Sequence, residues 1–339
     1  MGVKLKDLIT PETISYEELS HKTIAIDAYN MLYQFITTIR MRDGTPLKNS
    51  KGQTTSHLVG LLARATTMLE YNIKPVFIYD GETPQLKSAE RERRAELKEE
   101  AGKKHAQAVE DEDVELMKKY AGRTAKLTQE MITESQELLT HLGIPWMIAP
   151  AEAEAQAAKI AQNGHADYVA SQDYDALLFG AKKLVRNLNS SGKRKRPGTY
   201  SYNNIEPELI ELEKLKEELK LTQKQLIMLA MIVGTDFNIG GIKGLGPKKG
   251  LKKVREHEEN LQTLFEDIGW PFEADYKEVF ELLSNMPVTN EYTIQHKSVD
   301  EEALTKYLVE GFEFSETRVE NAIEKIRNRQ QQKGLSEFF

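Results

Sequence analysis

The chain contains no cysteine, which excludes disulfides and thiolate metal sites and leads us to expect an intracellular setting. It lacks any apolar run long enough to span a bilayer. Its start, MGVKLKDLIT, lacks the apolar stretch of a secretion signal, and Lys6 breaks the myristoylation pattern after Gly2. A soluble protein with no membrane partner is therefore expected. An excess of basic charge is missing too: 46 Lys and Arg against 53 Asp and Glu leave a formal net charge of −7. That argues against a uniformly basic nucleic-acid binder, but not against basic patches beside a clustered acidic site. No internal repeat emerges. A length of 339 residues suffices for one large or two modest domains with a full core.

What is present is organised around residues 149–180, APAEAEAQAAKIAQNGHADYVASQDYDALLFG. Pro150 suits a first helical position and Asn163-Gly164 a stop, so a helix is expected between them. Glu152 and Glu154 then fall at its start, where the helix dipole favours carboxylates. Helical spacing puts residues two apart on divergent faces, so the pair shares a site only at the helix start. Asp173 and Asp175 follow the apolar run 168–170, where a buried parallel strand ends and a ligand crevice opens. Four carboxylates held together point to hard divalent cations.

The same pattern occurs twice upstream. Residues 22–27 (KTIAID) and 74–80 (KPVFIYD) read as apolar strands ending in Asp27 and Asp80. Helical segments between them suit right-handed crossovers and a mostly parallel sheet, whose strand ends share one edge. An acid capping the following helix would explain any one of these positions; convergence of three is a stronger sign of a site. An apolar helix at 221–233 leads to Asp236, a further acidic terminus.

Residues 84–126 are dense in both charge signs and read as a helical hairpin or insertion. Lys87, Arg91 and Arg94 share one helical face, which either grips phosphate or forms an exposed salt-bridged surface. Residues 190–198 (SSGKRKRPG) form a basic turn, read as an exposed hairpin ahead of a DNA contact or a nuclear signal. In 240–250, GGIKGLGPKKG, glycines permit close backbone approach and Lys243, Lys248 and Lys249 supply counter-charge for phosphate. From Lys252 onward the pattern is mainly helical. The terminal Phe338 and Phe339 read as anchors for a partner pocket.

In order, IDAYNMLYQF, TTSHLVG, FIYDGETPQLK, APAEAEAQAA, SQDYDALLFG, VGTDF and GIKGLGPKKG resemble the flap endonuclease family of structure-specific 5′ nucleases along essentially the whole chain. The terminal motif, with no basic tail beyond it, resembles the archaeal branch; this implies a cytoplasmic, nucleoid-associated protein, nuclear only if the source is eukaryotic. The resemblance implies an α/β fold: a mostly parallel central sheet flanked by helices (a PIN-like nuclease core), a helical arch and a helix–two-turn–helix element. It implies an N-terminal nuclease region at 1–105, an arch insertion at 84–126, and an internal nuclease region at 115–260 completing one catalytic domain. A C-terminal helical region at 261–329 and a clamp-interaction tail at 330–339 follow.

The implied chemistry is two-metal hydrolysis of a phosphodiester near the base of a 5′ flap, with 5′→3′ exonuclease activity, in Okazaki-fragment maturation and long-patch base excision repair. Asp27, Asp80, Glu152 and Glu154 are assigned mainly to one Mg²⁺. Asp173, Asp175 and Asp236 go to a second, with Glu154 reaching both and Mn²⁺ able to substitute. Glu154 is expected nearer the ions, with Glu152 acting more through water. Lys87 and Arg94 are the implied catalytic cations. Implied DNA contacts are Tyr33, Arg40, Thr55, Arg64, Gly244, Gly246, Lys248, Lys249 and Arg318, with K⁺ in the glycine-rich loop. Phe312 and Thr67 depart from relatives that carry Lys and Arg there. Gly2 is implied to lie near the metals. Gln332, Leu335, Phe338 and Phe339 are implied to bind the PCNA sliding clamp, and the protein to act as a monomer on branched DNA.

Overall fold

The computed structural model describes residues 3–41, 43–111, 113–188, 192–195 and 202–336. After a short edge strand β1 (Glu12–Thr13), the apolar run Ile24-Ala25-Ile26 forms β2 (Thr23–Asp27). Helix α1 (Ala28–Thr38) follows at once, because the Asp27 carboxylate accepts the Asn30 N–H and caps it. Then come α2 (Ser56–Glu70) and β3 (Lys74–Tyr79). The charge-dense stretch forms α3 (Ser88–Glu110) and α4 (Val114–Ala121), a helical hairpin as read from its composition. Next are α5 (Gln129–His141), β4 (Trp146–Ile148), α6 (Ala153–Gln162), β5 (Tyr168–Ala170), α7 (Asp175–Leu178) and β6 (Lys183–Arg186). Strands β7 (Gly192–Lys195) and β8 (Tyr202–Ile205) pair antiparallel by themselves. The rest of the basic turn lies outside the described residues. Then β9 (Glu208–Glu211) leads into helices α8 (Leu212–Leu219), α9 (Gln223–Val233), α10 (Pro247–Glu256), α11 (Leu261–Ile268), α12 (Tyr276–Ser284), α13 (Glu301–Thr305) and α14 (Glu316–Ser336).

Seven strands form one sheet in the order β1-β9-β6-β5-β2-β3-β4. The run from β6 to β4 is parallel, and β9 and β1 close one side antiparallel. Side chains alternate between the two faces, as strand geometry requires. Ala25, Ile78, Val169 and Leu184 point to the layer holding α6 and α9. Ile24, Ile26, Phe77, Tyr79, Tyr168 and Val185 point to the layer holding α1, α2, α5 and α14. Both faces are therefore covered, so the parallel strands read as continuous apolar runs.

One expectation is corrected, and two stretches gain detail. Pro150 is not helical: α6 begins at Ala153 with Glu152 as its N-cap residue. Pro150 instead lies in a loop whose carbonyl accepts the Glu82 N–H. Residues 143–150 contain β4, too short and flanked by Pro for a pattern to show in the sequence. The chain after Lys252 is helical except for an extended strap over 287–300. The buried Gln156 amide donates to the Thr289 carbonyl (2.9 Å) and accepts its N–H (2.8 Å), while the Lys297 N–H donates to the Gly143 carbonyl (2.8 Å).

Candidate active site

The parallel register brings the strand ends level: Asp27 lies opposite Ile78, Ile26 opposite Ala170 and Tyr79 opposite Ile148. Asp27, Asp80, Glu152, Asp173 and Asp175 thus emerge on one edge of the sheet. Gly81 makes this possible. Its N–H donates to the Ala151 carbonyl (2.7 Å), and a Cβ there would lie 1.8 Å from the Ala149 carbonyl oxygen. The turn after Asp80 therefore lies directly on the loop before Glu152, and Asp80 accepts the Ala153 N–H at 2.7 Å.

Four connectors that the sequence reading passes over hold the acids. Asn30 donates to Asp173 (3.3 Å). The Ser171 hydroxyl donates to Glu154 (2.5 Å) and accepts the Asp173 N–H (3.2 Å). Arg186 donates to the Gln172 carbonyl (3.0 Å) and the Tyr174 hydroxyl (2.7 Å), bracing the loop between Ser171 and Asp175. Asn238 shapes the turn that carries Asp236. Its side chain, 1% exposed, accepts from the Thr235 N–H (3.1 Å) and hydroxyl (2.6 Å) and donates to the Met231 carbonyl (2.6 Å). Together with Ile242 N–H on the Ile232 carbonyl, this gives two carbonyls of the last turn of α9 a partner. The local signals were Ser-x-Asp and Thr-x-x-Asn, spacings at which these side chains bond nearby backbone. Replacing Asn238 with Ala is expected to destabilise the fold by about 1–3 kcal/mol for each buried group left unpaired. Chemical denaturation measures it.

The acids feel one another. Burial, and next the Asp80 charge, hold Asp27 well above the usual carboxylate range. Burial and Glu152 raise Asp80 to about 6. Burial and Asp175 raise Glu154, the most enclosed of the seven at 8% exposure. Burial and Asp173 raise Asp175 to about 7, although the Val3 N–H donates to it at 2.8 Å. The N-terminal backbone therefore lies on the site; Gly2 itself is outside the described residues. Among the described residues, no three acids or histidines close around one point as a tight metal cage. The donor set is nonetheless all hard oxygen and mutually repelling. It fits hydrated divalent cations of the Mg²⁺ type.

Two cations reach into this cluster from the hairpin. Lys87 lies in a single turn before α3 rather than on the helix face expected of it. Its Nζ is 3.0 and 2.8 Å from the Glu152 oxygens and 3.2 Å from Asp236. Burial opposes its charge, but Glu152 and Asp236 outweigh this and push its pKa up. Arg94 Nη2 donates to Asp236 at 2.8 Å, and its Nε donates to Glu90. Burial alone would raise Glu90; hydrogen bonds from Arg93 and Arg94 prevail and hold it at about 2.

Other sequence-derived positions scatter around this centre. Tyr33 is an exposed residue of α1, with Lys98 of α3 5.4 Å from its ring centroid. Arg40 donates to the Thr37 (3.2 Å) and Gly44 (2.8 Å) carbonyls. Thr55 is buried before α2, and exposed Arg318 lies over Phe314. Arg64 donates to the Tyr16 hydroxyl and lines an open groove of about 900 Å³ that none of the seven acids reaches. Gly244 and Gly246 are exposed, with open space where a Cβ would stand. Lys248 and Lys249 are exposed in the first turn of α10. Phe312 is buried, as an apolar residue at that position should be. The backbone of Gln332 and Leu335 continues α14, while Phe338 and Phe339 lie outside the described residues.

Residues 1–101 match the XPG N-terminal domain and residues 143–236 the XPG I-region. Over 348 aligned residues the chain is 46% identical to flap endonuclease 1 of Hyperthermus butylicus, covering 100% of this chain and 99% of that protein. The solved flap endonuclease-1 from Methanococcus jannaschii is 38% identical with a TM-score of 0.77, covering 98% of this chain and 100% of that one. The catalytic core of Rad2 in complex with a DNA substrate shares the fold, with a TM-score of 0.70 at 23% identity over 96% of this chain and 100% of that one.

Proposed function

The chain belongs to the flap endonuclease family and is a structure-specific 5′-flap endonuclease with the replication and repair roles typical of it; from this premise we propose how its site works. The carrying observation is that seven carboxylates gather at one sheet edge, with Lys87 and Arg94 within ion-pair distance of Glu152 and Asp236. Asp27, Asp80, Glu152 and Glu154 would hold one Mg²⁺ and Asp173, Asp175 and Asp236 a second, and Glu154 would serve both. Mn²⁺ substitutes. Such ions, when bound, activate a water and neutralise charge on the leaving oxygen.

The protein's own groups do the rest. Lys87 and Arg94 exchange carboxylates for the scissile phosphate and hold the charge that builds on its oxygens. Tyr33 offers an aromatic face to a base beside that phosphate. Arg40, Thr55, Arg64 and Arg318 hold the DNA on the α1–α2 side of the site. The glycines at 244 and 246 bring backbone N–H groups, and Lys248 and Lys249 bring charge, to duplex phosphates at the start of α10, with K⁺ in the same loop. The hairpin of α3 and α4 admits a free 5′ single strand. Residues 332–339 bind a sliding clamp, and the enzyme acts as a monomer. The N-terminal region (1–105), arch (84–126) and internal region (115–260) work as one catalytic unit, with 261–329 a helical support.

The test uses end-labelled 5′-flap, blunt-duplex and 3′-flap DNAs with Mg²⁺ or chelator. Metal-dependent incision near the base of the 5′ flap is expected. Its absence would overturn the metal reading, and equal cutting of blunt ends would favour an exonuclease as the principal activity. Removal of residues 332–339 is expected to leave incision intact and abolish stimulation by clamp; unchanged stimulation would refute the tail assignment.

A further inference from the structure

Apart from Glu154 in the acid cluster, Glu90 is the one acid among the described residues that is buried, at 2% exposure. An acid on a helix as polar as α3 is normally solvated, and burying a carboxylate is costly unless it is fully paired. Glu90 is paired twice. Its oxygens accept from Arg93 Nε (2.7 Å) and Nη2 (2.8 Å), and Oε1 also accepts from Arg94 Nε (2.6 Å). Arg94 is thus gripped at its inner edge by Glu90, four residues earlier on the same helix, while its outer Nη2 meets Asp236 at 2.8 Å.

We infer that Glu90 is the positioning residue for Arg94. The guanidinium is planar, with donors in a fixed fork, so holding Nε leaves the Nη groups aimed at the acid edge. When a phosphate arrives, only the outer partner is exchanged; the inner bond keeps the plane. Arg93 completes the charge balance of the buried carboxylate, so that Glu90 need not draw Arg94 away from the reacting phosphate. The inference rests on the proposed action of Arg94 at that phosphate.

The experiment is a double-mutant cycle on the full-length protein with 5′-flap DNA and Mg²⁺. Glu90→Gln keeps the size and one acceptor while removing the charge. Its single-turnover cleavage rate is expected to fall about 10- to 100-fold, the range for losing a group that orients a site residue. DNA affinity, read by fluorescence anisotropy, is expected to stay close to wild type, and the melting temperature to fall only modestly, through the lost charge pairing with Arg93 and Arg94. Glu90→Asp, which retains the charge, is expected to recover part of the rate. On an Arg94→Ala background, Glu90→Gln is expected to cause no further loss, because both changes remove the same contact. Additive losses, a full rate in Glu90→Gln, or a loss that Glu90→Asp does not relieve would overturn the role of Glu90. A wild-type rate in Arg94→Ala would instead overturn the proposed role of Arg94 itself.

Discussion

Asp175→Asn is expected to abolish flap cleavage while making the metal-free protein more stable. Because Asp175 is a proposed metal ligand, its loss removes several kcal/mol of transition-state stabilisation, or about 10³-fold or more in rate. The stability change runs the other way because Asp175 is held at about 7 by burial and by the Asp173 charge, against an ordinary 3.8. A carboxyl whose pKa is raised on folding favours the folded state only while protonated. Metal-free stability is therefore fullest near pH 4 and declines as pH rises toward 7, beyond which the loss is complete. Asp80, raised to about 6, adds to the decline over a lower window. Asn removes the charge and keeps an oxygen for the Val3 N–H. Thermal melts in chelator at pH 8 are expected to show a gain on the order of a few kcal/mol, shrinking at pH 4. Adding Mg²⁺ is expected to raise the wild-type melting temperature much more than that of the variant. Wild-type cleavage by Asp175→Asn, or a lower metal-free melting temperature, would contradict this account.

Lys87→Ala carries the second large effect, with the opposite sign in stability. The ammonium is the nearest cation to Glu152 and lies 3.2 Å from Asp236, which Arg94 meets at 2.8 Å, so its loss leaves two largely buried carboxylates with less counter-charge. The metal-free variant is expected to melt below wild type, just as Asp175→Asn melts above it. Single-turnover cleavage is expected to drop about 10²- to 10³-fold, the usual cost of one preorganised donor at developing charge. Binding of 5′-flap DNA should change far less, since one phosphate contact among many is lost. A proportional loss of affinity and rate would make Lys87 a binding residue and not a catalytic one.

Much of this site was legible along the chain. Apolar runs ending in Asp27, Asp80 and Asp173/Asp175 marked parallel strands, because strands buried on both faces have no polar alternation to hide the pattern. The Ala-rich helix, the charged hairpin and the glycine-rich turn were readable for similar local reasons. The connectors were not. Asn30, Ser171, Arg186 and Asn238 are ordinary polar residues until the fold places their partners within bonding distance. Glu90 looks like any surface acid of a charged helix, since only its burial under Arg93 and Arg94 sets it apart.

The sequence alone determined which chemistry the chain offers: hard oxygen donors, two kinds of phosphate-binding cation, and no thiol. It also determined that residues 149–180 stand at the middle of the acid series. Only the tertiary structure decided which oxygens face which partners. Glu152 took the N-cap position with its side chain facing Lys87, and Glu154 turned inward to Ser171, although only Ala153 separates them. Local periodicity specifies a residue's direction relative to its own helix. Where that helix begins, and what stands opposite, depends on the Gly81 turn lying against the loop at 149–151, a contact between segments some 70 residues apart.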